Sequence, residues 1–309
     1  MSKPFNNRIV VYFTERFPFF LYFFLVVILY LSMSILAQLL SGNNPVIDKY
    51  TMVGIVSNFF VMLLIRTFDD LKDVALDNEI FPDRPVSRGA VLSSDVKILA
   101  VFSFVILVLV NVLFAPKTLV LFSVMLIYAL LTFKWFFAEK LHIDNPKIAM
   151  ITHQPLPIII MFFLLHTALA SGSVYDVFTY KHLLLLLVFA LPITAWEVSR
   201  KIKAPINENK YETFSKIFGV KTAVLIPIVL YSIAGFISIW LSIIVKFHFS
   251  YSIIIVSYLL FLIVNFLRFY FNPTPKNNNL QKTAMIFTTL FFLTLALFLL
   301  FQHAILLQL

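Results

Sequence analysis

Cysteine is absent from all 309 residues, so disulfides and thiolate metal sites are excluded. Charge is scarce. Asp, Glu, Lys and Arg make up 13% of the chain, against about 25% in a soluble globule, while 61% is hydrophobic and 17% aromatic. With a mean hydropathy of +0.96, this composition excludes a soluble globular fold and places the chain among polytopic membrane proteins. A net charge of +9 would suggest nucleic acid in a soluble protein. Here it reflects the bias of basic residues toward cytoplasmic loops, and no nucleic-acid partner is expected. A soluble domain is missing as well, since no segment between apolar runs exceeds about 30 residues, and there is no low-complexity tract. The apolar runs have almost no ionisable residues between their ends. Ion and proton pathways usually need them there, which argues against a transporter or channel.

What is present is a series of nine apolar runs, near 17–40, 47–66, 97–114, 118–137, 148–169, 182–197, 222–245, 251–269 and 284–306. A spanning helix needs about 20 residues, so the second and sixth runs are short. Both lead into charged sequence that can continue as helix into the headgroup region. The N-terminal segment has basic residues ahead of an apolar run, as a signal peptide does. That run is too long for a signal h-region and reads as a retained first span. The expected fold is all-α, with nine transmembrane helices around a central lipid-accessible cavity. The whole chain, 1–309, forms a single membrane domain with motif-bearing loops at 66–97 and 198–221. Alternating nine spans puts 20 of the 24 Lys and Arg on one side. The positive-inside rule makes that side, with the N-terminus, cytoplasmic; in a bacterium the membrane would be the inner one. The stretch NPTPKNNNLQK, 272–282, reads as a solvated loop.

The acids are concentrated. Residues 66–89, RTFDDLKDVALDNEIFPDRPVSRG, hold six of the fifteen Asp and Glu. Asp69, Asp73 and Asp77 recur at i, i+4 and i+8, each offset about 40° on a helix, and Asp70 falls within the same arc. Like charges so placed repel, more strongly near a low-dielectric boundary, unless cations relieve them. Oxygen-only ligands suit a hard ion such as Mg²⁺, which commonly takes one or two carboxylates plus substrate phosphates. Two readings follow. One is a solvated helix end balanced by Arg66, Lys72, Arg84 and Arg88; the other, favoured by the scarcity of acids elsewhere, is a divalent-metal and phosphate site.

These residues resemble a known pattern. The UbiA-type superfamily of intramembrane prenyltransferases carries N-D-x-x-D-x-x-x-D at the end of its second helix, followed by R-P-[LIV]-x-x-G. This chain reads Asp69-Asp70-x-x-Asp73-x-x-x-Asp77 and then Arg84-Pro85-Val86-Ser87-Arg88-Gly89, with Asp69 where the family has Asn. The resemblance implies nine helices, Mg²⁺ held by Asp69, Asp70, Asp73 and Asp77 as the catalytic set, and an isoprenyl diphosphate as substrate.

The second motif is degenerate. The sixth run ends in WEVSRKIKAPINENKYETFSKIFG, 196–219, where the family has paired aspartates. Thr213, Phe214 and Gly219 keep the motif's tail, and Glu197, Asn207 and Glu208 are the remaining oxygen ligands. Arg200, Lys201 and Lys203 admit three readings: positive-inside anchors, direct diphosphate contacts in place of one metal, or the remains of a site that has lost catalysis. Tyr128 and Lys134, at the end of the fourth run, stand where the family carries a Tyr and a basic residue near the substrate, though any membrane interface is rich in both types. Asn58, eleven residues before Asp69, either lines the cavity above the acids or makes an interhelical hydrogen bond. His153, in THQP, either meets an acceptor or is structural.

The resemblance implies transfer of an isoprenyl group from its diphosphate to an aromatic or lipid-like acceptor within the bilayer. Asp69, Asp70, Asp73 and Asp77 would hold metal, and Arg84, Arg200, Lys201 and Lys134 would meet the diphosphate. Against this stands a protein of the same shape that binds a prenyl lipid or a partner without catalysis.

Overall fold

A computed structural model of the chain describes residues 4–171, 179–208, 213–303 and 305–307. Among these, nine helices are long and apolar enough to cross a membrane, and the chain is a multi-pass integral membrane protein. In order the helices are α1 (Phe5–Glu15), α2 (Phe19–Leu40), α3 (Lys49–Lys72), α4 (Val74–Ile80), α5 (Ser93–Phe114), α6 (Leu119–Phe133), α7 (Glu139–Asp144), α8 (Pro146–His153), α9 (Pro155–Leu169), α10 (Tyr180–Arg200), α11 (Phe214–Phe218), α12 (Val220–Ile244), α13 (Ser250–Phe271) and α14 (Leu280–Gln302). The spans are α2, α3, α5, α6, α8 with α9, α10, α12, α13 and α14.

The nine expected spans are there, with shifted ends. The second continues from 66 to Lys72 and the sixth to Arg200, because helix persists through the headgroup region where hydropathy no longer reports it. The fifth is divided at Gln154, where Pro155 opens a new helix at its first position. The N-terminal segment differs from expectation more. Instead of leading straight into the first span it forms the separate helix α1, with Tyr12 and the following Phe17 fully buried against Phe59, Val91 and Val96.

Local chemistry explains the junctions. The side chain of Asp48 accepts from the Thr51 backbone N–H at 3.1 Å and Thr51 Oγ1 accepts from the Asp48 N–H at 3.3 Å, a capping box that starts α3. Within the bilayer, Asn111 Nδ2 of α5 donates to Ser57 Oγ of α3 at 2.8 Å, and these two helices pack extensively. The neighbouring Asn58 does not make that bond. It is buried, and its Nδ2 has no acceptor among the described residues. Helices α2 and α3 touch at Gly54, where a Cβ would fall 1.8 Å from Tyr30 Cζ; only glycine permits that approach. At the far end of the bundle from the acidic motif, the short strands β1 (Val46–Ile47) and β2 (Leu306–Leu307) pair in parallel, and Ser41 Oγ meets His182 Nε2 at 3.0 Å.

Candidate functional site

The acidic motif begins on the last turn of α3 and crosses a break. Asp73 leaves helical geometry at φ −96°, ψ 10°, yet its N–H reaches Asp69 O at 3.0 Å and Asp77 N–H reaches Asp73 O at 2.8 Å. The chain therefore bends at Asp73 and resumes as α4. Each aspartate meets a different environment.

Asp70 is 3% exposed and saturated. Its Oδ2 accepts from the Tyr12 hydroxyl at 3.0 Å and Arg16 Nε at 3.3 Å, and its Oδ1 from Arg66 Nη2 at 3.2 Å and from Arg16 Nη2. Burial, then the Asp70 charge, holds the Tyr12 phenol far above its usual range, so it stays a donor. Asp77, also buried, accepts from Arg84 Nη1 at 2.5 Å, and the Arg84 guanidinium lies 3.8 Å from the centre of the Phe81 ring. Asp69 is more open, its side chain 42% exposed and 3.9 Å from Lys72 Nζ. Asp73 has no ion-pair partner among the described residues. Burial pushes its carboxyl up to about 6; Asp69 and Asp77 push the same way, and Lys72 and Lys201 oppose them.

The expected four-carboxylate stripe is thus split by the kink and by two arginine clamps. Among the described residues no three His, Asp or Glu side chains gather closely enough to hold a metal ion. A cage made of protein ligands alone does not fit. Asp69 and Asp73 do fit a Mg²⁺ ion that takes one or two carboxylates and completes its shell with phosphate oxygens and water; Asp73, crowded by two like charges, has the chemistry of a carboxylate in want of a cation.

At the second junction, Glu197 is enclosed by Arg200 Nη2 at 2.6 Å and Lys201 Nζ at 3.0 Å. Lys201 also lies within electrostatic reach of Asp73. Glu208 accepts from Thr213 Oγ1 at 2.7 Å and Ser215 Oγ at 2.5 Å, which staples the loop rather than offering a ligand. Asn207 is exposed in a single 3₁₀ turn. Gly219, at φ +79°, starts α12 in a conformation other residues avoid.

The fourth span ends in three successive left-handed residues, Trp135, Phe136 and Phe137, with φ of 50°, 51° and 58°. This costly turn sets the Trp135 ring 4.5 Å from Lys72 Nζ, the same ammonium that lies 3.9 Å from Asp69 Oδ1. Tyr128 donates to Thr152 O at 2.8 Å, and the His153 ring nitrogens face Ala149 O at 2.7 Å and Thr132 O at 3.2 Å. A neutral imidazole donates to only one of these carbonyls, and Nδ1 also lies 3.3 Å from Thr152 Oγ1, so the His153 ring sits between α6 and α8 among partners of its own. Lys134 is exposed, 5.3 Å from the centre of the Phe133 ring.

No family model matches the chain, and no curated protein matches it in sequence. Solved structures match it in shape. A digeranylgeranylglyceryl phosphate synthase superposes with a TM-score of 0.64 at 15% identity, over 94% of this chain and 98% of that one. A UbiA homologue from Aeropyrum pernix K1 in its apo form gives 0.61 at 15% identity, over 86% of this chain and 96% of that one. The fold is that of the UbiA-type prenyltransferases. At this identity the likeness is one of fold, and the arrangement of side chains on the UbiA-type frame has to carry any chemical argument.

Tyr12, Arg16, Lys72 and Trp135 lie around the acidic motif and are not among the residues that the sequence marks as metal or diphosphate ligands. A signal for two of them exists. Arg8, Tyr12 and Arg16 recur at i, i+4 and i+8, a basic and hydroxyl stripe that mirrors Asp69, Asp73 and Asp77. Nothing local marks Trp135, whose place depends on the left-handed turn.

Proposed function

We propose that the protein is a divergent UbiA-type transferase. It binds an isoprenyl diphosphate with the head between the ends of α3 and α10, on the cytoplasmic side, and passes the isoprenyl group to an acceptor of aromatic or lipid-like character. The observation that carries this reading is Asp73, a carboxylate with no ion-pair partner among the described residues, raised to about 6 chiefly by burial, next to Asp69 and within reach of Lys201. Asp69 and Asp73 would hold Mg²⁺, which when bound supplies a charge that stabilises the departing diphosphate. Lys72, Lys201 and Arg200 contribute cationic side chains on either side of that charge. The apolar walls of the spans keep water from an allylic cation. Asn58 Nδ2, buried without an acceptor among the described residues, offers a hydrogen bond to a polar group of either substrate.

One observation favours a second reading. Glu197 is neutralised by Arg200 and Lys201, and a site closed by its own ion pairs could bind a prenyl diphosphate without cleaving it. Diphosphate release separates the two. Incubation with geranyl, farnesyl or geranylgeranyl diphosphate, Mg²⁺ and a lipid extract as acceptor source should liberate diphosphate, and Asp73→Asn should abolish it. Tight binding with no release for any chain length would support the binder instead.

A further inference from the structure

The carboxylate of Asp70 has about four lone-pair positions, and four donor atoms from Tyr12, Arg16 and Arg66 take them, two on each oxygen. A cation cannot reach Asp70 without displacing one. The group is also charged the wrong way for a metal ligand: one carboxylate between two guanidinium ions leaves a net positive charge.

Arg16 is one of several ties between α1 and the bundle. That helix is also fastened by Arg8 to both Asp95 oxygens at 2.6 and 2.8 Å, by Arg88 to Glu15 at 2.7 and 2.9 Å, and by the burial of Tyr12 and Phe17. Arg16 sits at the helix's end, and its guanidinium joins α1 to the middle of the acidic motif.

We infer that Arg16 is a resident counter-cation of Asp70 and a positioning residue of the site, fixing the number of divalent ions the motif accepts at one. Resting on the metal and diphosphate reading above, this makes the N-terminal helix part of the site. Asp70 becomes the anchor that holds two arginines beside the diphosphate, while Asp69 and Asp73 alone face the ion. Removing the Arg16 charge frees a buried carboxylate next to those two and should draw divalent cations more strongly.

The test uses the full-length protein in detergent, with Mn²⁺ as probe and inorganic pyrophosphate present, read by loss of the free-ion electron paramagnetic signal against a protein-free blank. Wild type should bind one Mn²⁺ per chain. Arg16→Gln, which removes the charge and keeps a shorter polar side chain, should raise Mn²⁺ affinity by about tenfold or add a second ion, as removal of a unit charge several ångströms from a divalent ion implies. Arg16→Lys should restore the wild-type value. Arg8→Gln loosens the same helix away from the motif, so it should lower the melting temperature and leave Mn²⁺ binding unchanged. If Arg16→Gln binds Mn²⁺ as wild type does, or changes it only as much as Arg8→Gln, Arg16 is a structural staple and the inference is overturned. If wild type binds no Mn²⁺ with pyrophosphate, the metal reading itself fails, and this inference goes with it.

Discussion

Asp70→Asn separates two roles by the sign of its effect on the unliganded protein. A metal ligand standing among other carboxylates repels them, so neutralising it would leave the metal-free protein as stable as before or more so. The anchor of an arginine cluster behaves in the opposite way. Asp70 has a side-chain exposure of 2%, Arg16 12% and Arg66 24%. Breaking a buried ion pair by removing one partner costs about 3–5 kcal/mol. Water reaches both arginines in part, and the amide can still accept one or two of the four hydrogen bonds, so the lower end applies, about 3 kcal/mol. Thermal or SDS unfolding of the metal-free protein, in chelator, reads this directly. Asp70→Asn should melt several degrees below wild type, whereas Asp69→Asn, which removes a charge near Asp73, should melt at or above it. If Asp70→Asn is as stable as wild type in chelator, the cluster described around it does not exist in the protein.

Further consequences can be checked separately. Gly54→Ala brings a methyl group against the Tyr30 ring and should cost about 1–3 kcal/mol of stability by overpacking; adding Tyr30→Leu should recover most of the loss in the same unfolding assay. Asp73 must lose its proton to hold a cation, and its carboxyl sits at about 6, so Mn²⁺ affinity should be full near pH 7.5 and fall as pH drops through about 6. The Asp73→Asn protein should lack that dependence. Trp135→Ala removes the ring beside Lys72, a cation–π contact of about 0.5–1 kcal/mol, and should weaken pyrophosphate binding by a few-fold in calorimetry with stability little changed.

Nine spans were legible because hydropathy reports the bilayer thickness directly. The ends of α3 and α10 were legible because the acids and bases cluster there against an apolar background. The division of labour among the four aspartates was not. Helical spacing put Asp69, Asp70, Asp73 and Asp77 on one face, but it carries no information on which carboxylate an arginine 54 positions earlier will claim, as Arg16 claims Asp70. Hydropathy also could not show α1, whose buried face consists of Tyr12 and little else within the helix. Nor could it show the turn at Trp135–Phe137, where bulky residues adopt a conformation their own preferences oppose and only the surrounding contacts fix it. His153 and Glu208 show what spacing leaves open: the sequence allowed either a substrate contact or a structural role for His153 and an oxygen ligand at Glu208, and the structure shows both side chains with partners inside the chain.

The central claim is that the ends of α3 and α10 bind an isoprenyl diphosphate through a cation on Asp69 and Asp73. The most direct measurement is the melting temperature of the detergent-purified protein with geranyl, farnesyl or geranylgeranyl diphosphate, with and without Mg²⁺, beside the Asp73→Asn variant. A ligand at 100 times its dissociation constant stabilises by about 2.7 kcal/mol, and no acceptor is required. The account expects a rise with at least one chain length that needs Mg²⁺ and disappears in Asp73→Asn. No rise with any of the three, or a rise indifferent to both Mg²⁺ and Asp73, would contradict it.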